Sequence, residues 1–166
     1  MTHASRRGSL WLIACLLPVL LGGCSLLDLD RDVTPDTSDR DRWEDQDLSD
    51  YRYTLSIQCF CIPLGDLHIT VRADTVAAVD VNLDLTGQGY SPADSMAFVE
   101  RSRGNARTID DVFDQIHEAR VRGAHRVNVS YDAERRYPTD VYLDYEENIA
   151  DDELGLTLRD LVPLTP

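Results

Sequence analysis

Four cysteines, four histidines and 30 carboxylates are the side chains in this 166-residue chain that could do chemistry. Cys59 and Cys61 are the closest pair of sulfurs. In a flat strand, residues i and i+2 share a face with Cβ atoms about 6.5–7 Å apart, whereas a disulfide needs about 3.5–4.5 Å. A bond between them therefore demands a bend, and Pro63 just downstream marks where a strand would end. A three-residue loop stabilises by only about 1.6 kcal/mol in the chain-entropy formula, before strain is subtracted. Three readings of the pair stand open: a local structural disulfide, two free thiols or a metal pair, and a redox-active site. No Cys-x-x-Cys motif supports the last. Zinc would need two further ligands, with His68, His117 and His125 available to supply them.

Each histidine also has a plain reading. His68 falls on the polar side of an alternating strand. His117 flanks a helix beside Asp110 and Asp114, where a surface ion pair is expected, and His125 begins a strand. Asp144, Glu146, Glu147, Asp151, Asp152 and Glu153 form an acidic cluster. Carboxylates this dense can hold Ca²⁺ or act as a glycosidase pair, but a charge run is ordinarily a solvated face. No serine sits in a nucleophile-elbow motif. All 16 basic residues are arginine, so Schiff-base and P-loop lysine chemistry is excluded. The expectation is no catalytic residue, no metal and no cofactor.

The elements that must position these residues read as α+β. Tyr51, Tyr53, Leu55, Ile57 and Cys59 alternate with Arg52, Thr54, Ser56 and Gln58 in a half-buried strand. Leu67, Ile69 and Val71 form a second, and Val79, Val81, Leu83 and Leu85 a third, after a turn at Asp74-Thr75. Ser91-Pro92 can open a short helix. The clearest helix runs from Ile109 to Arg122, with Thr108 as N-cap, Asp110, Asp111 and Asp114 at its positive end and Gly123 as its stop. Ile109, Val112, Phe113, Ile116 and Ala119 form its apolar stripe. Strands through Val127–Tyr131 and Val141–Tyr145 follow. The sequon Asn128-Val129-Ser130 reads as a strand position. Leu154, Leu156 and Leu158 read as an added edge strand. The expected sheet is antiparallel, of about five strands in the order β-β-β-α-β-β, with the main helix packed on one face.

The amino terminus reads as an address. Arg6 and Arg7 precede an apolar run, Leu10–Leu21, which is shorter than the ~20 residues a spanning helix requires but suits a signal peptide. Leu21-Gly22-Gly23-Cys24 resembles the bacterial lipobox. That resemblance implies cleavage before Cys24, a thioether-linked diacylglycerol on it and a further acyl chain such as palmitate. Several acyl chains anchor durably where one is marginal. Ser25 rather than Asp after the cysteine implies release to the outer membrane, facing the periplasm, in a diderm bacterium. Removing residues 1–23 takes two arginines and no acid, leaving 14 arginines against 30 acids, a charge of −16. Anionic lipid surfaces repel such a chain, so the lipid must anchor it unaided. Nucleic acid is excluded as a partner on the same ground. Residues 24–42 read as an acidic disordered tether. Asp28–Asp32 imitates an EF-hand start, but Val33 replaces the turn glycine and Asp39 the bidentate Glu, so it reads as spacer. A single domain is expected over 43–166.

A set of short motifs runs through the mature chain: Trp43, Tyr51-Arg52-Tyr53-Thr54-Leu55, Cys59-Phe60-Cys61, Val71, Val76-Ala77-Ala78-Val79 and Thr108-Ile109-Asp110-Asp111-Val112-Phe113. It continues through Tyr131-Asp132, Tyr137-Pro138-Thr139, Asp144-Tyr145 and Ala150-Asp151-Asp152-Glu153. Taken together, over roughly residues 43–161, these resemble a family of exported bacterial proteins and lipoproteins, domain of unknown function 6174. Two turns depart: Arg136 stands where the family tends to have Gly before Tyr-Pro, and Ala73-Asp74 where it has Asp-Gly. The resemblance implies fold and export, and brings no activity. The functional expectation is a lipid-anchored envelope protein with a non-catalytic domain that binds a protein or envelope component. The alternative is a thiol-disulfide or metal-handling protein using Cys59 and Cys61.

Overall fold

Strict alternation of apolar and polar residues gives the chain its strands, and one helical stripe covers them. A computed structural model describes residues 35–60, 64–83, 85, 89–149 and 151–165. The signal-peptide and lipidation readings, Cys24 included, lie outside the described residues, as does Cys61.

The chain runs α1 (Pro35–Glu44), β1 (Tyr51–Cys59), β2 (Asp66–Arg72), β3 (Thr75–Asn82), α2 (Pro92–Arg103), α3 (Ile109–Val121), β4 (Arg126–Tyr131), β5 (Pro138–Asp144) and β6 (Leu154–Pro163). The strands form one antiparallel sheet in the order β3-β2-β1-β6-β5-β4. The α+β architecture is as expected, with two corrections. The sheet has six strands rather than about five. The stretch through Leu154, Leu156 and Leu158 is no edge strand but lies between β1 and β5. Leu156 and Leu158 are buried in the core and Leu154 half-buried against it, and alternation alone does not distinguish an edge from a centre. In addition, α1 takes in residues 35–42, which composition assigns to the tether. What fixes this polar helix is Trp43, whose ring packs edge-on against Tyr51 and Tyr137.

Helix α3 supplies the other half of the core. Ile109, Val112, Phe113, Ile116 and Ala119 are all buried, against Tyr51, Leu55, Leu67, Ile69, Val141, Leu143, Leu156 and Leu158. Thr108 and Asp111 make a reciprocal capping box, and Gly123 follows the helix at φ 74. A second capping box, Ser91 with Asp94, opens α2. That helix buries only Ser102.

The two turns at Ala73-Asp74 and Arg136 are among the places that adopt left-handed backbone without glycine. Ala73 and Asp74 stand at φ 47 and 57, as a two-residue hairpin loop demands. Arg136 stands at φ 64, with its guanidinium 3.5 Å from the buried Asp39 carboxylate. Both family glycine positions thus keep the glycine-like conformation.

Candidate functional site

Among the described residues, the helices cover one side of the sheet and leave the other open. Pairing registers bring one polar residue from every strand into a single row: Asn82, Asp66, Ser56, Thr157, Asp140 and Ser130. Beside it lie Asp80, His68, Thr54 and Arg159 on β3, β2, β1 and β6. On the other flank lie Gln58, Gly155, Tyr142 and Asn128 on β1, β6, β5 and β4. Period-two alternation puts the core residues on one side, so these polar rows are its direct complement.

The row contains a tight ionic cluster. Ser56 Oγ donates to Asp66 Oδ1 at 2.5 Å, while Arg159 donates to Ser56 Oγ at 2.6 Å and to Asp66 Oδ2 at 2.7 Å. The serine hydroxyl and the guanidinium hold the Asp66 carboxyl below the usual carboxylate range. A carboxylate made less basic is a poor base, so Ser56 is not activated as a nucleophile. Next to it, His68 Nδ1 lies 3.2 Å from Thr54 Oγ1, with Asp80 as the cross-strand neighbour of His68. Thr54 is 4% exposed, which keeps its hydroxyl from an incoming substrate. These contacts cross-link three strands and rigidify the face.

The other histidines stand apart. His117 is exposed on α3. The ion pair expected for it is not among the contacts of its neighbours: Asp114 pairs with Arg40, and Asp110 accepts from the Trp43 indole at 3.0 Å. His125 Nε2 lies 4.0 Å from Asp144, which ends β5 and is buried. Glu146, Glu147, Asp151 and Glu153 are exposed, as a solvated charge run requires. Asp152 is the exception, with both carboxylate oxygens enclosed and, among the described residues, without a hydrogen-bond partner. Among the described residues, no three His, Cys, Asp or Glu side chains are grouped to hold a metal.

Cys59 ends β1 and is disulfide-bonded. It lines a cavity of about 590 Å³ with Ile57, Leu64, Leu154, Arg101 and Arg107. Burial lowers the pKa of Arg107, and its guanidinium donates to the Gln115 side chain and to the Asn105 carbonyl.

The sequence reading missed the cross-strand rows and the Ser56–Asp66–Arg159 cluster, whose members are spread over residues 56–159. Only the register makes them neighbours. One local signal was available: Gly155, alone between Leu154 and Leu156 in a strand pattern.

A two-layer α+β domain with one helix-covered and one open polar face defines a scaffold class and not an activity. Residues 37–163 match the model of the family of unknown function DUF6174, and the chain belongs to that family. No curated protein and no solved structure matches the chain.

Proposed function

We propose that this chain is a lipid-anchored cell-envelope protein whose single α+β domain is a non-catalytic binding module. The lipid sits on Cys24 after removal of residues 1–23, and an acidic spacer from Cys24 leads into α1. The recognition surface is the open side of the sheet. The observation that carries this reading is the uninterrupted polar row from Asn82 to Ser130, its Ser56 and Asp66 members clamped by Arg159 and the whole left uncovered by the described helices. A pre-organised face loses little side-chain freedom on binding, which favours recognition. The partner is a protein or another envelope component.

Anchoring is tested by mass spectrometry of the protein extracted from membranes. An amino-terminal peptide beginning at an acylated Cys24 is expected, and an unmodified peptide retaining Met1 would contradict it.

A second reading is favoured by the Cys59 disulfide. Its cavity carries two guanidinium groups, and nearby cations stabilise thiolates. If Cys59 pairs with Cys61, the bond could exchange with a partner dithiol in the envelope. Thiol titration separates the two: a bond resistant to mild reductant marks a structural role, and one that opens and re-forms reversibly marks exchange.

A further inference from the structure

Apart from the open sheet face, we propose that the cavity between the end of α2 and the core side of β1 and β6 binds a small amphiphilic carboxylate, an acyl chain of medium length. The cavity measures about 590 Å³, within the usual size of a small-molecule pocket. Ile57 and Leu154 wall it from the strands, and the buried Leu64 from the segment before β2. Arg101 in the last turn of α2 and Arg107 in the α2–α3 connection bring two guanidinium groups to it, with Asn105 between them.

No carboxylate lines this cavity, although acids outnumber basic residues 30 to 16 in the chain. Other arginines have found partners: Arg103 pairs with Glu100, Arg122 with Glu118 and Arg159 with Asp66. Among the described residues, Arg101 and Arg107 have no ion pair. Arg101 at least complements the negative end of α2, a role Arg107 lacks. Arg107 is half-buried, and its Nε and Nη1 donate only to the neutral Asn105 carbonyl and Gln115 side chain. Burial lowers its pKa, and the carboxylate that acts against this, Asp111, already accepts the Thr108 N–H at 2.7 Å. Buried charges are ordinarily paired, so an enclosed cation without a counterion marks a place for an anion.

The guanidinium groups select the head of the ligand, and the walls select its body. A guanidinium fork grips a carboxylate through two parallel N–H bonds. An inorganic anion would leave Ile57, Leu64 and Leu154 against water, and an apolar alcohol would leave both cations unpaired. A peptide with a free carboxyl end would bring backbone amides, for which Asn105 is the one neutral polar side chain in the lining. An acyl carboxylate satisfies cations and walls together. The Cys59 disulfide stays intact throughout, so the site does not depend on thiol exchange.

The test is arginine footprinting with phenylglyoxal, read by mass spectrometry, on the full-length protein carried in phosphatidylcholine nanodiscs with its disulfide intact. The probes are octanoate, acetate, inorganic phosphate, octanol and a tripeptide ending in leucine. Octanoate should slow labelling of Arg101 and Arg107 severalfold, while the exposed Arg52 and Arg126 react as before. Protection should need at least about tenfold less octanoate than acetate, since each buried CH₂ is worth about fourfold. Arg101→Gln, at an exposed helix position, should weaken octanoate protection of Arg107 by roughly threefold to tenfold. Glu118→Ala on α3 should leave it unchanged. The proposal is overturned if octanoate protects neither arginine, if acetate or phosphate protects as well, if octanol or the tripeptide protects better, or if Arg101→Gln has no effect. Such a failure leaves the other readings standing, since the open face lies across the sheet and exchange is read by thiol titration.

Discussion

The Tyr51 hydroxyl accepts the backbone N–H of Ile109 at 3.0 Å, tying β1 to the first turn of α3. The opening amides of a helix have no partner within it, and Thr108 covers only that of Asp111. Tyr53, two residues along, donates its hydroxyl to the Arg107 carbonyl. Two tyrosines on one strand thus fix where α3 starts. Burial raises the pKa of both well above the ordinary tyrosine value, so both stay protonated.

Tyr51→Phe keeps the ring and leaves the Ile109 amide buried without an acceptor. A loss of about 1–3 kcal/mol is expected, read as a lower urea midpoint with an unchanged slope.

The Ala73-Asp74 turn holds both central residues in left-handed backbone. Asp74→Gly removes that strain at one of them, and also removes a charge whose repulsion raises the pKa of Asp110. A gain of about 0.5–1 kcal/mol is expected in thermal unfolding.

Two aspartates predict opposite pH dependence. The pKa of Asp66 is lowered by the Ser56 hydroxyl and Arg159, so its contribution is present above its ordinary value of 3.8 and lost as pH falls through the lowered one. The pKa of Asp110 is raised, chiefly by burial, so the stability linked to its protonated form is present below 3.8 and lost as pH rises through the raised value. In urea midpoints measured across acidic pH, Asp66→Asn should flatten the low-pH fall. Asp110→Asn, which keeps an acceptor for Trp43, should flatten the decline above it.

The central place of β6 makes its leucines costly to shorten. Leu158, 1% exposed, packs in the core, whereas Val127 on edge strand β4 is only half-buried. Leu158→Ala should cost about 2–5 kcal/mol, and Val127→Ala distinctly less. Equal losses would contradict the strand order.

Local signals made most elements legible. Thr108 and Gly123 bound α3, Ser91-Pro92 opens α2, and the alternation from Tyr51 to Cys59 marks β1, because caps and periodicity are written in neighbouring residues. The sheet order was not legible. Placing β6 beside β1 depends on long-range pairing such as Leu55 with Leu158, which no window of sequence contains. Helix α1 was hidden for a related reason: its composition is that of a solvated segment, and what holds it are long-range contacts, Trp43 with Tyr51 and Tyr137, Arg40 with Asp114 and Asp39 with Arg136. Of the site, Gln58 and His68 were assigned to the polar side of their strands. That Gln58 neighbours Gly155, and His68 lies beside Asp80, followed only from the register.

Recognition through the open face is tested most directly by carboxyl footprinting, comparing the purified protein with the same protein in its native envelope. Asp80 and Asp140 report on the open face, and the exposed Asp114 and Glu118 on α3. Slower labelling of Asp80 and Asp140 in the envelope is predicted, with Asp114 and Glu118 reacting equally in both settings. Protection of Asp114 and Glu118 with unchanged labelling of Asp80 and Asp140 would place the contact on the helical side and contradict it.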